Sequence, residues 1–393
     1  MSLGEPDQNY TRLTPLEVAT ATVVGWSQVD APRETVAKDP LEALERALLP
    51  ALLHPPCVVA FSGGRDSSAV LAVALRVARR EGLAMPIALT RRWPGYPATD
   101  ESYWQELAVS ALGVRDWERM DFDENDVIGP TAQDSLMKRG ILWPPLAYSW
   151  PRLVAKAAGG SFVTGEGGDE MFGPRRCSGL RYMSKGFTSQ RAKHALVSVA
   201  PRRARVVAQE RHHRGNWSWL RPEARRLHLR LVAEEQASEP FLWPASLRWH
   251  LGRRMLTVAA HNLTELAGEH RAKMFHPLLD PGFVSALGHR SGPLGFAGRG
   301  EAMAAVFGDL LPRELVYRST KALTTTSLFG DWSRAFVNSW EGGGLDEAIV
   351  DTQELRQAWA APSPAVGSVL LLQQAWLSGQ RKSANTRSDG RSP

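Results

Sequence analysis

Two cysteines in 393 residues, Cys57 and Cys177, leave no material for a disulfide framework or a four-thiolate zinc site. No Gly-Lys pair occurs anywhere, so the Walker-type phosphate loop G-x-x-x-x-G-K-S/T is excluded. The ten histidines form no H-E-x-x-H pattern and no ligand-spaced cluster, so a catalytic zinc is not expected. No run reaches membrane-spanning length without charge or proline, and the opening MSLGEPDQNYTRLTP lacks a basic stretch followed by an apolar core. We therefore expect a cytoplasmic protein with no membrane partner. No period of 20 to 50 residues repeats, which argues against a solenoid.

What is present is an ordinary globular composition, 43% hydrophobic and 22% charged, on a chain long enough for a deep core and a cleft. The formal charge of +6 is unevenly spread. Between Arg175 and Arg230 there are fifteen Lys/Arg against two acids, Glu210 and Glu223, and the rest of the chain is net acidic. The fourteen tryptophans, spaced helically beside Leu and Ala, read as core.

Residues 1–40 carry weak pattern and form an N-terminal extension. Leu41, Leu44, Leu48 and Leu52 then predict a helix that ends at Pro55-Pro56. An apolar strand, 58–61, breaks at Ser62-Gly63-Gly64. From Ser67 the period changes to 3.6, with Val70, Leu71, Ala74, Leu75 and Ala78 on one face and Gly82 as a stop. A second strand is predicted over 86–90, a helix over 101–112, a strand near 117–120, and a further β-branched run leads into TGEGGDEMF at 164–172. This alternation predicts an α/β fold, a parallel twisted sheet with helices on both faces. The α/β core should occupy 41–174 and a mainly helical part 175–380, with a loose polar tail at 381–393. In such sheets ligands bind at the carboxyl ends of the strands, where both glycine-rich turns fall.

Glycines 63 and 64 let the main chain approach a ligand, and the helix that follows presents unpaired N–H groups and a positive dipole end to an anion. Ser62, Ser67 and Ser68 add hydroxyls suited to phosphate oxygens. Asp66 fits an anion site only if a divalent cation stands between it and the phosphates. The second turn, with Glu166, Asp169 and Glu170 among Gly165, Gly167 and Gly168, collects carboxylates that repel unless a cation relieves them. Asp66 and Asp169 are thus the candidate Mg²⁺ ligands.

At these residues the chain resembles the ATP-pyrophosphatase (PP-loop) superfamily through SGGRDSS, and GEGGDE narrows the resemblance to its asparagine-synthetase-like branch. TDESYWQELAVSALG (99–113), HPLLDPGFVSAL (276–287) and FGDLLPRELVYRSTKA (307–322) resemble further segments of that branch, so that the likeness spans about 41–330. The resemblance implies a reaction with ATP and Mg²⁺. A carboxylate attacks the α-phosphate, pyrophosphate leaves, and an amine takes the acyl group from AMP. It implies that Ser62, Gly63, Gly64, Asp66 and Ser67 hold pyrophosphate and that Asp66 and Asp169 hold Mg²⁺. Thr90 would face the adenosine, and Gly165, Glu166 and Gly168 would line the acyl-adenylate cleft. Lys321 would stabilise transition-state charge, with Arg318 one turn earlier.

Three features depart from asparagine synthetase. No cysteine precedes Cys57, so a glutaminase domain is not expected. The family's amine-deprotonating glutamate aligns with Lys273, leaving Glu269, one turn away, as the candidate base. The R-x-x-K spacing of Arg318 and Lys321 resembles lasso-peptide macrolactam cyclases and β-lactam-synthetase-like enzymes. The leading expectation is an amide or lactam synthetase of peptide or natural-product biosynthesis, taking small-molecule or peptide carboxylates and amines. An acidic peptide or carrier protein would meet the basic stretch 175–230. The alternatives are a tRNA-acting PP-loop enzyme, with Trp217, Trp219 and His212-His213 stacking on bases, and a non-catalytic partner subunit. No RNA-binding module is visible, and nucleic acid is not the expected partner. TTTS (324–327) is a candidate mobile loop over the site, and His276 is read as packed in the fold.

Overall fold

In the computed structural model, which describes residues 9–27, 38–183, 188–320, 322 and 328–389, five parallel strands form one sheet. They are β1 (Cys57–Ala60), β2 (Ile87–Arg92), β3 (Trp117–Asp121), β4 (Ser161–Val163) and β5 (Lys273–Phe275), in the order β3-β2-β1-β4-β5. The chain enters at the centre, winds out to β3, then crosses back to the far side of β1. That reversal makes β1 and β4 hydrogen-bonded neighbours, with Val58 opposite Phe162, and opens a crevice where their carboxyl ends diverge.

Alternation along the strands feeds two cores. Val58, Leu89 and Phe162 point to one face, with Trp150, Leu153 and Leu263. Val59, Ala88 and Val163 point to the other, against Leu44, Leu48, Leu71 and Leu75. The latter come from the helices Pro40–Leu52 and Arg65–Glu81, the second of which is apolar almost all round because it is covered on nearly every side. It ends where Gly82 adopts φ +64° and returns its N–H to the Ala78 carbonyl. Phe283, Leu287, Phe307 and Leu315 share this core, so residues on both sides of position 175 pack together.

The helices Pro40–Leu52, Arg65–Glu81 and Ser102–Leu112 and the strands β1 to β4 lie within a few residues of their expected positions, whereas the helices Pro130–Arg139 and Trp150–Val154 were not expected. β5 was not expected. It has three residues, begins on an exposed lysine and lies at the sheet edge, so its strand character comes from pairing with β4, Phe162 opposite Met274, and not from its own pattern. The weakly patterned N-terminal segment also has structure. A helix, Pro15–Thr20, is capped by Thr14, whose side chain accepts from the Glu17 N–H while the Glu17 carboxylate accepts from the Thr14 N–H. Val18 and Ala19 join a third core with Val127, Trp219, Leu370 and Leu372. The last helix, Val369–Asp389, includes the first part of the segment 381–393. Among the described residues no helix is long and apolar enough to cross a membrane.

Candidate active site

The turn after β1 is tied together by one hydroxyl. Ser67 Oγ lies 3.0 Å from Ser62 Oγ, accepts from the Ser62 N–H at 3.2 Å and donates to the Gly64 carbonyl at 3.2 Å. This folds the turn over the amino end of the helix Arg65–Glu81 and leaves its first N–H groups open toward the crevice. Gly63 has φ +80°, and a Cβ there would come within 2.7 Å of the Gln105 side chain. Gln105 donates from Nε2 to the Ser62 carbonyl at 3.2 Å, so the turn is packed from outside by the helix Ser102–Leu112.

The second turn follows β4. Thr164 Oγ1 lies 2.7 Å from His276 Nδ1 and accepts from the Glu166 N–H at 3.2 Å. Burial lowers His276 to about 4, which keeps it neutral. Gly167, at φ +91°, starts the short helix Gly168–Phe172. A Cβ on Gly168 would fall 2.2 Å from Asp66 Cγ, so only bare backbone lets the two corners approach this closely.

The two acidic corners converge on one cation. Arg299, at the start of the helix Arg299–Phe307, donates from Nη2 to Asp66 Oδ2 and from Nη1 to Asp169 Oδ1. Asp66 Oδ1 is buried without a hydrogen-bond partner. Burial and the neighbouring Asp169 raise the Asp66 carboxyl, while Arg299 opposes that rise. Two carboxylates gathered round a positive charge, one with a spare oxygen, fit Mg²⁺. That ion takes one or two protein carboxylates and leaves its other positions to phosphate and water. Asp66 and Asp169 would hold it, and it would neutralise charge on the phosphates.

Around this junction lies a cavity of about 400 Å³. Ser62, Gly64, Asp66, Ser67, Gly165 and Glu166 line it, as do Asp169 and Arg318. A further wall, which sequence reasoning missed, is built from Leu89, Arg91, Trp93, Trp150 and Leu153. The Arg91 guanidinium stacks 4.4 Å over the Trp93 ring and donates to Ser149 Oγ. Burial lowers Arg91 to about 10, which leaves it charged at neutral pH. Gln105 and Arg299 were also missed. The acidic segment at 99–113 pointed to the first, whereas Arg299 has no local sequence signal.

Arg318 is buried, 2.6 Å from the Glu101 carboxylate, with Nη1 donating to the Gly63 carbonyl at 3.0 Å and the guanidinium 4.5 Å over the Trp104 ring. It clamps the phosphate turn to the helix behind it. Glu101 also accepts from the Ala322 N–H at 2.6 Å, and Thr320 and Ala322 line the cavity. Lys321 itself, and the segment TTTS at 324–327, lie outside the described residues.

Three expected site residues are placed elsewhere, and so is Lys273, the position that aligns with the family's glutamate. Ser68 is fully buried behind the turn and is not part of the lining. Thr90 is also fully buried; it donates to the Phe61 carbonyl and accepts from Trp117 Nε1, both at 2.8 Å, so its hydroxyl ties β2 to β1 and is not presented to a nucleoside. Glu269 is remote from the cavity lining. Burial alone would raise it, but hydrogen bonds from Arg139, Lys138 and Tyr10 outweigh that and hold it at about 2, so it is no base. Lys273 begins β5 at the opposite end of the strands, with Nζ 2.6 Å from His54 Nε2.

Glu166 is a strongly perturbed carboxyl in the cleft. Burial first, then the charges of Glu170, Asp169 and Asp66, push it from 4.5 to about 7, against the pull of Arg91. Between those two pH values the folded chain keeps a proton that the unfolded chain has lost, so this group's contribution to stability falls as pH rises through the window. Glu166→Gln is expected to be more stable than the parent at pH 8 by about 1–3 kcal/mol and close to it at pH 4, read by urea denaturation. An equal gain at both pH values would refute the shift.

Many arginines of the stretch 175–230 serve the fold. Arg176 and Arg205 donate to backbone carbonyls, while Arg221 and Arg230 pair with Asp351 and Glu234. Trp217 and Trp219 donate to the Thr20 and Ala19 carbonyls and pack inward, so neither indole is a free stacking platform.

A parallel sheet reversed at β1, with a glycine phosphate turn and an acidic turn on adjacent strands, defines an α/β fold of the PP-loop kind completed by a helical C-terminal part. The family model for asparagine synthase matches residues 42–378, most of the chain, and the protein belongs to that family. The family is one of ATP-dependent ligases that form amide bonds. No curated protein matches the sequence.

Proposed function

We propose that the protein is an AMP-forming amide or lactam synthetase that works through an acyl-adenylate. A substrate carboxylate oxygen attacks the α-phosphorus of ATP, and the bond to the β-phosphate breaks. Pyrophosphate leaves against the Ser62–Ser67 turn. The acyl group lies along Gly165, Glu166 and Gly168, where an amine nitrogen attacks the acyl carbon, AMP departs, and the amine proton passes to a base. Asp66 and Asp169 would hold Mg²⁺, which would supply charge to offset the phosphates, and Lys321 meets the charge that develops in the transition state. The observation that carries this reading is the convergence of Asp66 and Asp169 on a single cation beside the phosphate turn.

The wall of Arg91, Trp93 and Trp150 offers a substrate apolar surface and one buried positive charge. This supports a peptide or natural-product substrate, as in the lasso-peptide macrolactam cyclases. The exposed arginines Arg202, Arg203 and Arg211 would receive an acidic peptide or carrier protein. The test is ATP–pyrophosphate exchange, screened over candidate carboxylates and peptides. Exchange that depends on one of them, with AMP as the nucleotide product, supports the reading; formation of ADP overturns it.

A further inference from the structure

Arg299 has no part in the reaction as described above, yet it stands where the metal belongs. Its guanidinium fork is split, one nitrogen on each acidic corner, and those corners lie 233 and 130 residues away in sequence. The side chain is largely buried, with Nε lacking a hydrogen-bond partner. A second guanidinium, that of Arg65, lines the same cavity. Arg299 and Arg65 thus stand against Asp66 and Asp169, with Glu166 and Glu170 as further acids nearby.

A divalent ion entering between Asp66 and Asp169 must displace this fork. With no phosphate present, the displaced guanidinium would be left beside Arg65 and the new ion without the two carboxylates it now pairs with, an arrangement that is disfavoured. A triphosphate changes the balance. Its oxygens would lie along the Ser62–Ser67 turn, within the same cavity that Arg299 lines, and a planar guanidinium binds phosphate oxygens through two parallel hydrogen bonds. Charge is conserved if the metal takes the carboxylates while the guanidinium turns to the phosphates.

We propose that Arg299 is the resident counter-cation of the metal position, that free metal does not displace it, and that it passes onto the phosphates when metal and triphosphate enter together. Arg299 is then a further phosphate-binding residue, and it makes metal entry conditional on nucleotide. The inference rests on the metal assignment to Asp66 and Asp169.

The test uses the full chain without nucleotide and Mn²⁺ as the probe, followed by electron paramagnetic resonance. Arg299→Gln removes the competing charge and should bind Mn²⁺ about tenfold or more tightly than the parent, within the usual 5- to 150-fold range of coupling between sites. The gain should vanish in the double variant Arg299→Gln with Asp66→Asn. The single variant should also bind Mg²⁺–pyrophosphate about tenfold more weakly. Unchanged or weaker Mn²⁺ binding, or unchanged pyrophosphate binding, overturns the proposal. Should the variant not fold, the parent decides the matter. Its melting temperature should not respond to Mn²⁺ alone below about millimolar concentration, and a rise there overturns the proposal. Normal pyrophosphate exchange by the parent alongside a negative Mn²⁺ result sinks this inference only, whereas absence of exchange counts against the ligase chemistry.

Discussion

Asp66→Asn is expected to lower substrate-dependent ATP–pyrophosphate exchange by on the order of 10³-fold, the scale seen when one preorganised electrostatic contact to a reacting centre is removed. The substitution keeps the shape of the side chain and removes its charge. Arg299 retains Asp169, and Asp66 already has a raised carboxyl because of burial, so its charge adds little to folding. The melting temperature should therefore hold or rise while exchange is lost. Asp169→Asn should act in the same direction. Exchange above about a tenth of the parent rate in either variant would end the assignment of these carboxylates to the metal.

The largest stability effect is expected at the ion pair behind the phosphate turn. The side chains of Arg318 and Glu101 are 3% and 12% exposed, and Arg318 also holds the Gly63 carbonyl. Arg318→Met leaves the Glu101 carboxylate buried without its partner, which typically costs about 3–5 kcal/mol. Replacing both partners, Arg318→Met with Glu101→Gln, should recover most of that loss, because no uncompensated charge remains. Urea unfolding of the two variants provides the comparison. A loss under about 1 kcal/mol in the single variant would mean that the pair contributes little and that the turn is held by Gln105 and Ser67.

Part of the site could be read in the sequence. Asp66 and Asp169 were legible because a carboxylate in a glycine turn after an apolar strand is unfavourable unless something compensates it, and the structure brings the two corners together. Ser68 in the phosphate turn and Thr90 at the end of the second strand misled because a hydroxyl there has the same composition whether it faces the ligand or the sheet. Packing decides, and in both cases the side chain is fully buried. Glu269 misled for another reason. Its environment is set by Tyr10, Lys138 and Arg139, contributed from segments far off in sequence, and no local pattern reports them. Arg299 was invisible on the same ground, since a lone arginine between two glycines has no periodicity. β5 escaped because three half-exposed residues become a strand only when β4 is beside them.

The third core has a practical corollary. The helix Pro15–Thr20 lies against the final helix, Trp217 and Trp219 hang from the Thr20 and Ala19 carbonyls, and Val18 shares a cluster with Leu370 and Leu372. Head and foot of the described chain therefore shelter one another. Trimming away either would strip apolar cover from the other, leaving a sticky face, although every group around the nucleotide pocket would still be encoded.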